Sequence, residues 1–201
     1  MHVAIAGNIA TGKSTLTRLL CQELACTPAY EPVAENPFLS SFYQRDARWS
    51  FHTQITFLSL RAAQHRDIQG RSALVIQDRS LYEDAEVFAR AQFELGYMSA
   101  DEYATYRRLY EVLVALLQPP ALLVHLWAPV DTLRERLDRR ARAMESTVTD
   151  AYLGQLNDAY RRWADAFTLC PLLEVRADRL DLEDHAALAA LAQRVWEATR
   201  G

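Results

Sequence analysis

The sequence predicts an α/β fold: a parallel sheet of five strands, flanked by helices. Short apolar runs alternate along the chain with longer amphipathic segments, and strands joined through helices pair in parallel. The runs that indicate strands span residues 2–6, 28–30, 73–77, 121–127 and 172–175. The segments that indicate helices span residues 13–26, 50–69, 82–95, 100–117, 130–142, 149–167 and 182–199.

Turn residues separate the elements in the first half of the chain. The first apolar run ends at Gly7, and four leucines recur on one side of the helix predicted at residues 13–26. Two prolines and an asparagine occupy residues 31–37, which predicts a loop. The helix at residues 50–69 is followed by Gly70, a residue type that commonly ends helices.

Similar signals divide the second half. Two amphipathic helices, residues 82–95 and 100–117, are separated near Gly96. The pair Pro119-Pro120 ends the second of them, because proline cannot continue a helix. The helix at residues 130–142 is strongly basic at its end.

Composition excludes several classes of protein. The formal net charge of −4 does not favour binding to nucleic-acid polymers, and no apolar run approaches the roughly 20 residues of a membrane span. The first residues lack the pattern of a signal peptide. The chain has three cysteines, an odd number, at Cys21, Cys26 and Cys170, and they lack the spacing of a metal site. This predicts buried or free thiols in a reducing cytoplasm. No repeat, linker or composition break is present, so we predict one domain over residues 1–201.

Residues 7–14 fit the phosphate-loop pattern G-x-x-x-x-G-K-S at every fixed position, between a predicted strand and a predicted helix. Glycines let successive N–H groups turn toward phosphate oxygens, and the helix N-terminus adds positive potential. Lys13 is the only lysine among 22 basic residues and can reach the β- and γ-phosphates, while Ser14 can bind Mg²⁺. We therefore predict that ATP or GTP binds, with Mg²⁺, to Gly7, Asn8, Ala10, Thr11, Gly12, Lys13, Ser14 and Thr15.

Three charged residues follow predicted strands, at the edge where ligands of open α/β sheets collect. Glu31 follows the second strand and can accept the proton of an attacking hydroxyl; a surface carboxylate before a proline is the alternative. Asp78 and Arg79 follow the third strand. Asp78 can hold Mg²⁺ and Arg79 can stabilise a transferred phosphoryl group, whereas a structural ion pair is the alternative.

One face of the helix at residues 50–69 carries Gln54, Phe57 and Arg61, which are spaced three and four residues apart. A glutamine amide offers a donor and an acceptor side by side, which suits the edge of a nucleobase. A half-exposed surface helix would show the same pattern. Phe88 could stack on a base, although a single helical phenylalanine is usually part of the core.

An arginine-rich stretch ends the helix predicted at residues 130–142. Arg136, Arg140 and Arg142 can clamp several phosphate oxygens and close over a bound nucleotide, with Arg139 beside them. A solvated basic helix end, favoured by the helix dipole, is the alternative. We predict a lid at about residues 136–146.

The chain resembles the deoxynucleoside kinase family, which contains deoxycytidine, deoxyguanosine and bacterial deoxyadenosine kinases. The resemblance runs from residue 3 to about residue 165 and more weakly to the end, and it looks most like the bacterial purine-type members. The matching pieces, in chain order, are residues 7–15 (GNIATGKST), 31–33 (EPV), 36–39 (NPFL), Phe42-Tyr43, residues 49–51 (WSF), Gln54, residues 78–84 (DRSLYED) and the arginines between 136 and 142.

This resemblance implies a P-loop kinase fold and transfer of the ATP γ-phosphoryl group to the 5′-hydroxyl of a deoxynucleoside, with a purine base, in nucleotide salvage. It implies catalytic roles for Glu31 as general base, Arg79 and Lys13, with Ser14 and Asp78 at Mg²⁺. The substrate-binding residues it implies are Glu31, Tyr43, Gln54, Phe57, Arg61, Arg79, Asp84, Phe88 and Glu145. It also implies a homodimer.

Within that set, Gln54, Arg61 and Asp84 match residues that recognise the base, and Tyr43 and Glu145 match residues that bind the sugar 3′-hydroxyl. Phe57 is larger than the residue at this position in several relatives, which predicts a reshaped base pocket. Adenine and guanine present opposite hydrogen-bond edges and a glutamine amide can turn to suit either, so deoxyadenosine and deoxyguanosine remain alternatives, with deoxycytidine as a side substrate.

Two other functions are alternatives to this one. A nucleoside monophosphate kinase of thymidylate type would need arginines for the acceptor's own phosphate and would not need Glu31 as a base. A non-catalytic ATP-binding module would need none of Glu31, Asp78 and Arg79 beside the phosphate loop.

Overall fold

A computed structural model describes residues 1–43, 47–141, 145 and 147–200. Five strands form one parallel sheet in the order β2-β3-β1-β4-β5, which confirms the predicted fold class. The strands are β1 His2–Gly7, β2 Thr27–Ala29, β3 Val75–Asp78, β4 Leu122–Trp127 and β5 Leu172–Arg176.

Helices connect the strands and pack on the sheet. Those of the described part are α1 Lys13–Glu23, α2 Leu39–Tyr43, α3 Ser50–Gln69, α4 Leu81–Glu83, α5 Arg90–Glu94, α6 Ala100–Leu116, α7 Val130–Arg140, α8 Asp150–Ala166 and α9 His185–Ala198. Short 3₁₀ turns lie at Val33–Glu35 and Ala47–Trp49. None of the helices in the described ranges is long and apolar enough to cross a membrane.

The centre of the sheet is the best buried part of the fold. Every residue of β1 and β3 is buried, whereas the edge strands β2 and β5 are partly exposed. A parallel sheet covered on both faces favours continuous apolar strands of this kind. The first strand lies between β3 and β4, and Ile5 pairs with both Asp78 and Val124.

This register brings the predicted site residues to one edge of the sheet. The phosphate loop leaves the carboxyl end of β1, Glu31 follows β2, and Asp78 ends β3. Because β2, β3 and β1 are parallel neighbours, these three positions lie side by side.

The structure differs from the predicted elements in a few places. The helix predicted at residues 82–95 is interrupted by a π-helical turn, Asp84–Ala89, between α4 and α5. Such turns occur often at functional sites. The last helix begins at His185, three residues later than predicted, because the Asp184 side chain accepts hydrogen bonds from the backbone N–H groups of residues 186 and 187.

Candidate active site

Two glycines allow the phosphate loop its shape. A Cβ at Gly7 would lie 2.6 Å from the carbonyl oxygen of Leu126, so only glycine fits against β4. Gly12 caps α1 with a φ of 99°, a conformation that other residues resist. Ala10 also has a positive φ, 63°. The structure thus gives both glycines of the motif a physical requirement.

Lys13 is buried at the start of α1 and points back over the loop. Its Nζ atom donates to the carbonyl oxygens of Gly7 and Asn8, both at 2.9 Å. Burial and, next, the charge of the neighbouring Arg79 lower the pKa of Lys13 to about 8, although Asp78 opposes the shift. A phosphate group beside this ammonium would favour its charged form.

The loop is anchored from α8, a contact that the sequence did not indicate. The Asn8 side chain donates to the Leu153 carbonyl and to Asn157 Oδ1, both at 2.9 Å. Asn157 in turn donates to the Ala128 carbonyl. The Asn8 side chain also accepts from the N–H of Ile9 at 2.7 Å. These bonds fix the first turn of the loop from behind.

Ser14 and Asp78, the two residues predicted to bind Mg²⁺, lie in contact. The Ser14 hydroxyl donates to Asp78 Oδ2 at 2.5 Å. Asp78 is 2% exposed, and its Oδ1 atom has no hydrogen-bond partner in the described part of the chain. Burial raises the pKa of Asp78. A buried carboxylate oxygen with spare acceptor capacity, beside a hydroxyl, fits a hard divalent cation.

Glu31 lies between two guanidinium groups. Its Oε1 accepts from Arg61 Nη2 at 2.8 Å and its Oε2 accepts from Arg79 Nε at 3.2 Å. Burial alone would raise the pKa of Glu31, but the charges of Arg79 and Arg61 outweigh it and lower the pKa to about 2. The carboxylate is therefore ionised at neutral pH and fixed in direction.

The predicted base-contacting residues converge next to Glu31. Arg61 pairs with Asp84 as well as with Glu31, and its guanidinium lies 5.0 Å from the centre of the Phe57 ring. Its Nη1 atom is buried without a hydrogen-bond partner among the described residues. Gln54 is also buried on α3, one turn before Phe57 and two turns before Arg61. The Phe88 ring lies 4.4 Å from the guanidinium of Arg79.

A cavity of about 260 Å³ opens one helical turn from these residues. Ser50, Gln92 and Tyr152 are among the residues that line it. The Ser50 hydroxyl donates to Gln92 Oε1 at 3.2 Å, and Gln92 Nε2 donates to the Tyr152 hydroxyl at 3.0 Å. Ser50 precedes Gln54 by four residues and Gln92 follows Phe88 by four, so the cavity adjoins the predicted base site.

Two arginines of the arginine-rich stretch, Arg136 and Arg140, make different kinds of contact. Arg136 donates to the Thr11 carbonyl at 2.9 Å and to the Ala177 carbonyl at 2.7 Å, which places it against the phosphate loop. Arg140 makes a two-pronged ion pair with Glu145, with N···O distances of 2.5–3.0 Å. Arg142 and the Tyr43 side chain lie outside the described residues. Thr15 is exposed on the first turn of α1.

Two buried residues of the site were missed by sequence analysis. Glu83 and Tyr160 both contact the phosphate loop at Gly7 and both approach Arg79. The sequence Ser80-Leu-Tyr-Glu83 is a recognisable capping box, and the structure shows that it caps α4. That local signal indicates the start of a helix and does not indicate the contact with Gly7.

The ion pairs of Glu31 have a consequence for acid stability. Its folded-state pKa of about 2 lies below the unfolded value of 4.5, so its contribution is fully present above pH 4.5 and is lost as pH falls toward 2. We expect Glu31→Gln to lower the free energy of unfolding by roughly 2–3 kcal/mol at pH 7. Urea unfolding should show this difference shrinking between about pH 4.5 and pH 3.

The exposed carboxylate of Glu35 provides the control for that experiment. Glu35→Gln should leave the free energy of unfolding close to that of the wild type throughout. A difference between wild type and Glu31→Gln that stays constant from pH 7 to pH 3 would contradict the assigned ion pairs.

Comparison with known proteins adds an independent line of evidence. The family model described as deoxynucleoside kinase matches residues 3–197. A deoxyadenosine/deoxycytidine kinase of Bacillus subtilis is 35% identical over 182 residues, which cover 90% of this chain and 84% of that protein. A deoxyguanosine kinase of Lactobacillus johnsonii is 32% identical over 192 residues, which cover 89% of this chain and 83% of that protein.

The fold comparison agrees. The structure of deoxyadenosine kinase from M. mycoides with the products dCMP and a flexible dCDP bound matches with a TM-score of 0.86 and 25% identity, covering 98% of this chain and 100% of that chain. The predicted family resemblance is thus confirmed in sequence and in structure. The chain belongs to the deoxynucleoside kinase family, whose members are ATP-dependent phosphotransferases.

Proposed function

We propose that this chain transfers the γ-phosphoryl group of ATP to the 5′-hydroxyl of a purine deoxynucleoside, as a step of nucleotide salvage. The observation that carries the proposal is the placement of Glu31. Its carboxylate is held by Arg61 and Arg79 at the edge of the sheet where Lys13 begins α1. An acceptor hydroxyl at Glu31 and a triphosphate at Lys13 would then be neighbours.

The low pKa of Glu31 shapes the mechanism. A carboxylate with a pKa of about 2 is a weak base toward an alcohol. Glu31 therefore orients the 5′-hydroxyl for in-line attack on the γ-phosphorus. It takes the hydroxyl proton late, after the new O–P bond has largely formed and the bond from the γ-phosphorus to the departing ADP has largely broken. Phosphoryl transfer depends mainly on positioning and charge neutralisation, so this weak base suffices.

Several positive groups would stabilise the negative charge that develops on the transferred phosphoryl group. Lys13 and Arg79 supply positive charge in a buried setting, where each acts more strongly than in water. Ser14 and Asp78 would hold Mg²⁺, which neutralises phosphate charge when bound. Arg136 already contacts the loop at the Thr11 carbonyl, and Arg140 and Arg142 are proposed to complete the lid over ATP.

The sugar and base are assigned to the acceptor side. Glu145 and Tyr43 are proposed to bind the 3′-hydroxyl, and Phe88 to stack on the base. The Nη1 atom of Arg61, which has no hydrogen-bond partner among the described residues, donates toward a ring nitrogen. Asp84 accepts from an amino group, and Gln54 offers both functions. Adenine and cytosine both present the base edge that matches these groups, in which an amino group lies beside an acceptor ring nitrogen.

That shared edge leads us to propose deoxyadenosine as the preferred acceptor and deoxycytidine as the second. The Bacillus subtilis relative carries both bases in its name, and the M. mycoides enzyme, a deoxyadenosine kinase, was solved with dCMP. The deciding experiment is kcat/KM for the four deoxynucleosides at fixed ATP and Mg²⁺. Deoxyadenosine and deoxycytidine should rank first, and a preference for thymidine would contradict the assignment of Arg61 and Asp84.

We also propose that two copies associate and that the enzyme works in the cytoplasm. The surface of α6 exposes Leu109, Val112 and Leu116, of which Leu116 is 76% exposed. Exposed apolar residues grouped on one helix favour association. The structure shows no disulfide at the cysteines of the described part, Cys21 and Cys170 among them, and free thiols are typical of proteins of a reducing compartment.

A further inference from the structure

We propose that Glu83 and Tyr160 form a positioning pair that sets Arg79 relative to the phosphate loop, and so governs phosphoryl transfer without touching either substrate. The inference deepens the proposed function and rests on it. Neither residue belongs to the predicted site. Both are completely buried, and together they connect the residues proposed to bind the deoxynucleoside to the phosphate loop proposed to bind ATP.

Glu83 uses both oxygens of its buried carboxylate. Oε1 accepts from the N–H of Ser80 at 2.8 Å, which holds the side chain at the start of α4. Oε2 accepts from the N–H of Gly7 at 3.2 Å, lies 3.5 Å from Arg79 Nη1 and contacts the Tyr160 hydroxyl. Glu83 Oε2 thus contacts both Gly7, the first residue of the phosphate loop, and Arg79, whose guanidinium contacts Glu31.

Tyr160 repeats this connection from α8. Its hydroxyl donates to the Gly7 carbonyl at 2.8 Å and accepts from Arg79 Nη1 at 3.4 Å. The hydroxyl has one hydrogen and two acceptors within reach, Gly7 O and Glu83 Oε2. The ring stacks on His125, with centroids 5.5 Å apart and planes 16° apart, which fixes the hydroxyl in place.

Arg79 needs such support because its backbone is strained. Its φ is 73°, in the left-handed region that a residue with a side chain rarely adopts. Glu31 holds the guanidinium on one side, and Glu83 and Tyr160 hold it on the other. Because Arg79 also orients Glu31, a shift of the guanidinium displaces the proposed acceptor site. Misplacement of about 1 Å can cost about 10² in rate.

A structural role alone would give a different kinetic pattern from a positioning role. A buried pair that only stabilises the fold lowers the melting temperature and the amount of active enzyme, with KM unchanged and losses that add between variants. A positioning pair lowers the rate of the folded enzyme, and the two residues act as a unit. The test therefore measures kcat per folded molecule together with additivity.

The principal variant is Tyr160→Phe, which removes one hydroxyl and keeps the ring stacked on His125. We expect kcat to fall about tenfold or more, while KM for ATP and for deoxyadenosine changes less than about threefold. Titration of the nucleotide site with ATP gives the fraction of enzyme molecules that are folded, so that kcat can be expressed per folded molecule. Tyr82→Phe is the matched control, because Tyr82 is also buried in the core and its ring packs on His65 and Phe167 instead of on His125.

The second variant is Glu83→Gln, measured alone and together with Tyr160→Phe. We expect the double variant to be no slower than the slower single variant, within about threefold. A Tyr160→Phe enzyme with wild-type kcat, or losses that multiply in the double variant, would overturn the inference. A wild-type chain that phosphorylates no deoxynucleoside would instead overturn the proposed function, so the two failures are distinguishable.

Discussion

Lys13→Ala should reduce kcat/KM for ATP by about 10³ or more, which corresponds to about 4 kcal/mol of transition-state stabilisation. The lysine is the sole ammonium side chain available to the phosphates, since the other 21 basic residues are arginines. The fold should survive the change. The Gly7 carbonyl keeps its bond from Tyr160, and the Asn8 carbonyl keeps its bond from the Thr11 hydroxyl at 2.9 Å.

Steady-state kinetics with nucleotide-binding titrations would check this expectation, and Gln54→Ala is its control. That substitution should weaken the use of the deoxynucleoside and leave ATP affinity unchanged, the reverse of the pattern for Lys13→Ala. If Gln54→Ala abolished ATP binding and spared deoxynucleoside use, the assignment of α3 to the acceptor side would be wrong.

Glu31→Gln should lower kcat by about 10² to 10⁴, or roughly 3–5 kcal/mol of barrier. The amide keeps the shape of the side chain but cannot take the proton, and its NH₂ group cannot accept a bond from either guanidinium. KM for ATP should change little because the phosphate loop is intact. Single-turnover phosphoryl transfer, with both substrates bound beforehand, measures the step directly.

Stability has to be separated from catalysis in this variant. Removing the charge of Glu31 leaves Arg61 and Arg79 buried with less compensation, which costs folding free energy. The assay temperature should therefore lie well below the measured Tm, and Glu35→Gln should behave as wild type. A folded Glu31→Gln enzyme that transfers phosphate at the wild-type rate would remove Glu31 from the mechanism.

Local patterns were enough to predict the sheet and the phosphate loop. The motif from Gly7 to Ser14 is contiguous, and its glycines have conformational requirements that the structure confirms. The five strands were found from short apolar runs, each within a few residues of its observed bounds. Glu31 and Asp78 could be placed at one edge because parallel strands carry their carboxyl ends to the same side.

Contacts between distant parts of the chain could not be predicted in this way. Tyr160 lies 153 residues from the Gly7 carbonyl that it contacts. The sequence around Tyr160 has only the pattern of an ordinary amphipathic helix. Asn157 was missed for the same reason. The π-helical turn Asp84–Ala89 has no periodicity signal of its own, since one added residue in a turn barely changes an apolar pattern.

We propose above all that the acceptor is a deoxynucleoside hydroxyl beside Glu31. The most direct test is to incubate the protein with ATP, Mg²⁺ and each of the four deoxynucleosides, or with deoxyadenosine or thymidine monophosphate, and to identify the products by ³¹P NMR. With deoxyadenosine we expect deoxyadenosine 5′-monophosphate and ADP in equal amounts, and we expect no product from the monophosphates. Diphosphates formed from the monophosphates, or ATP left unchanged with every nucleoside, would contradict it.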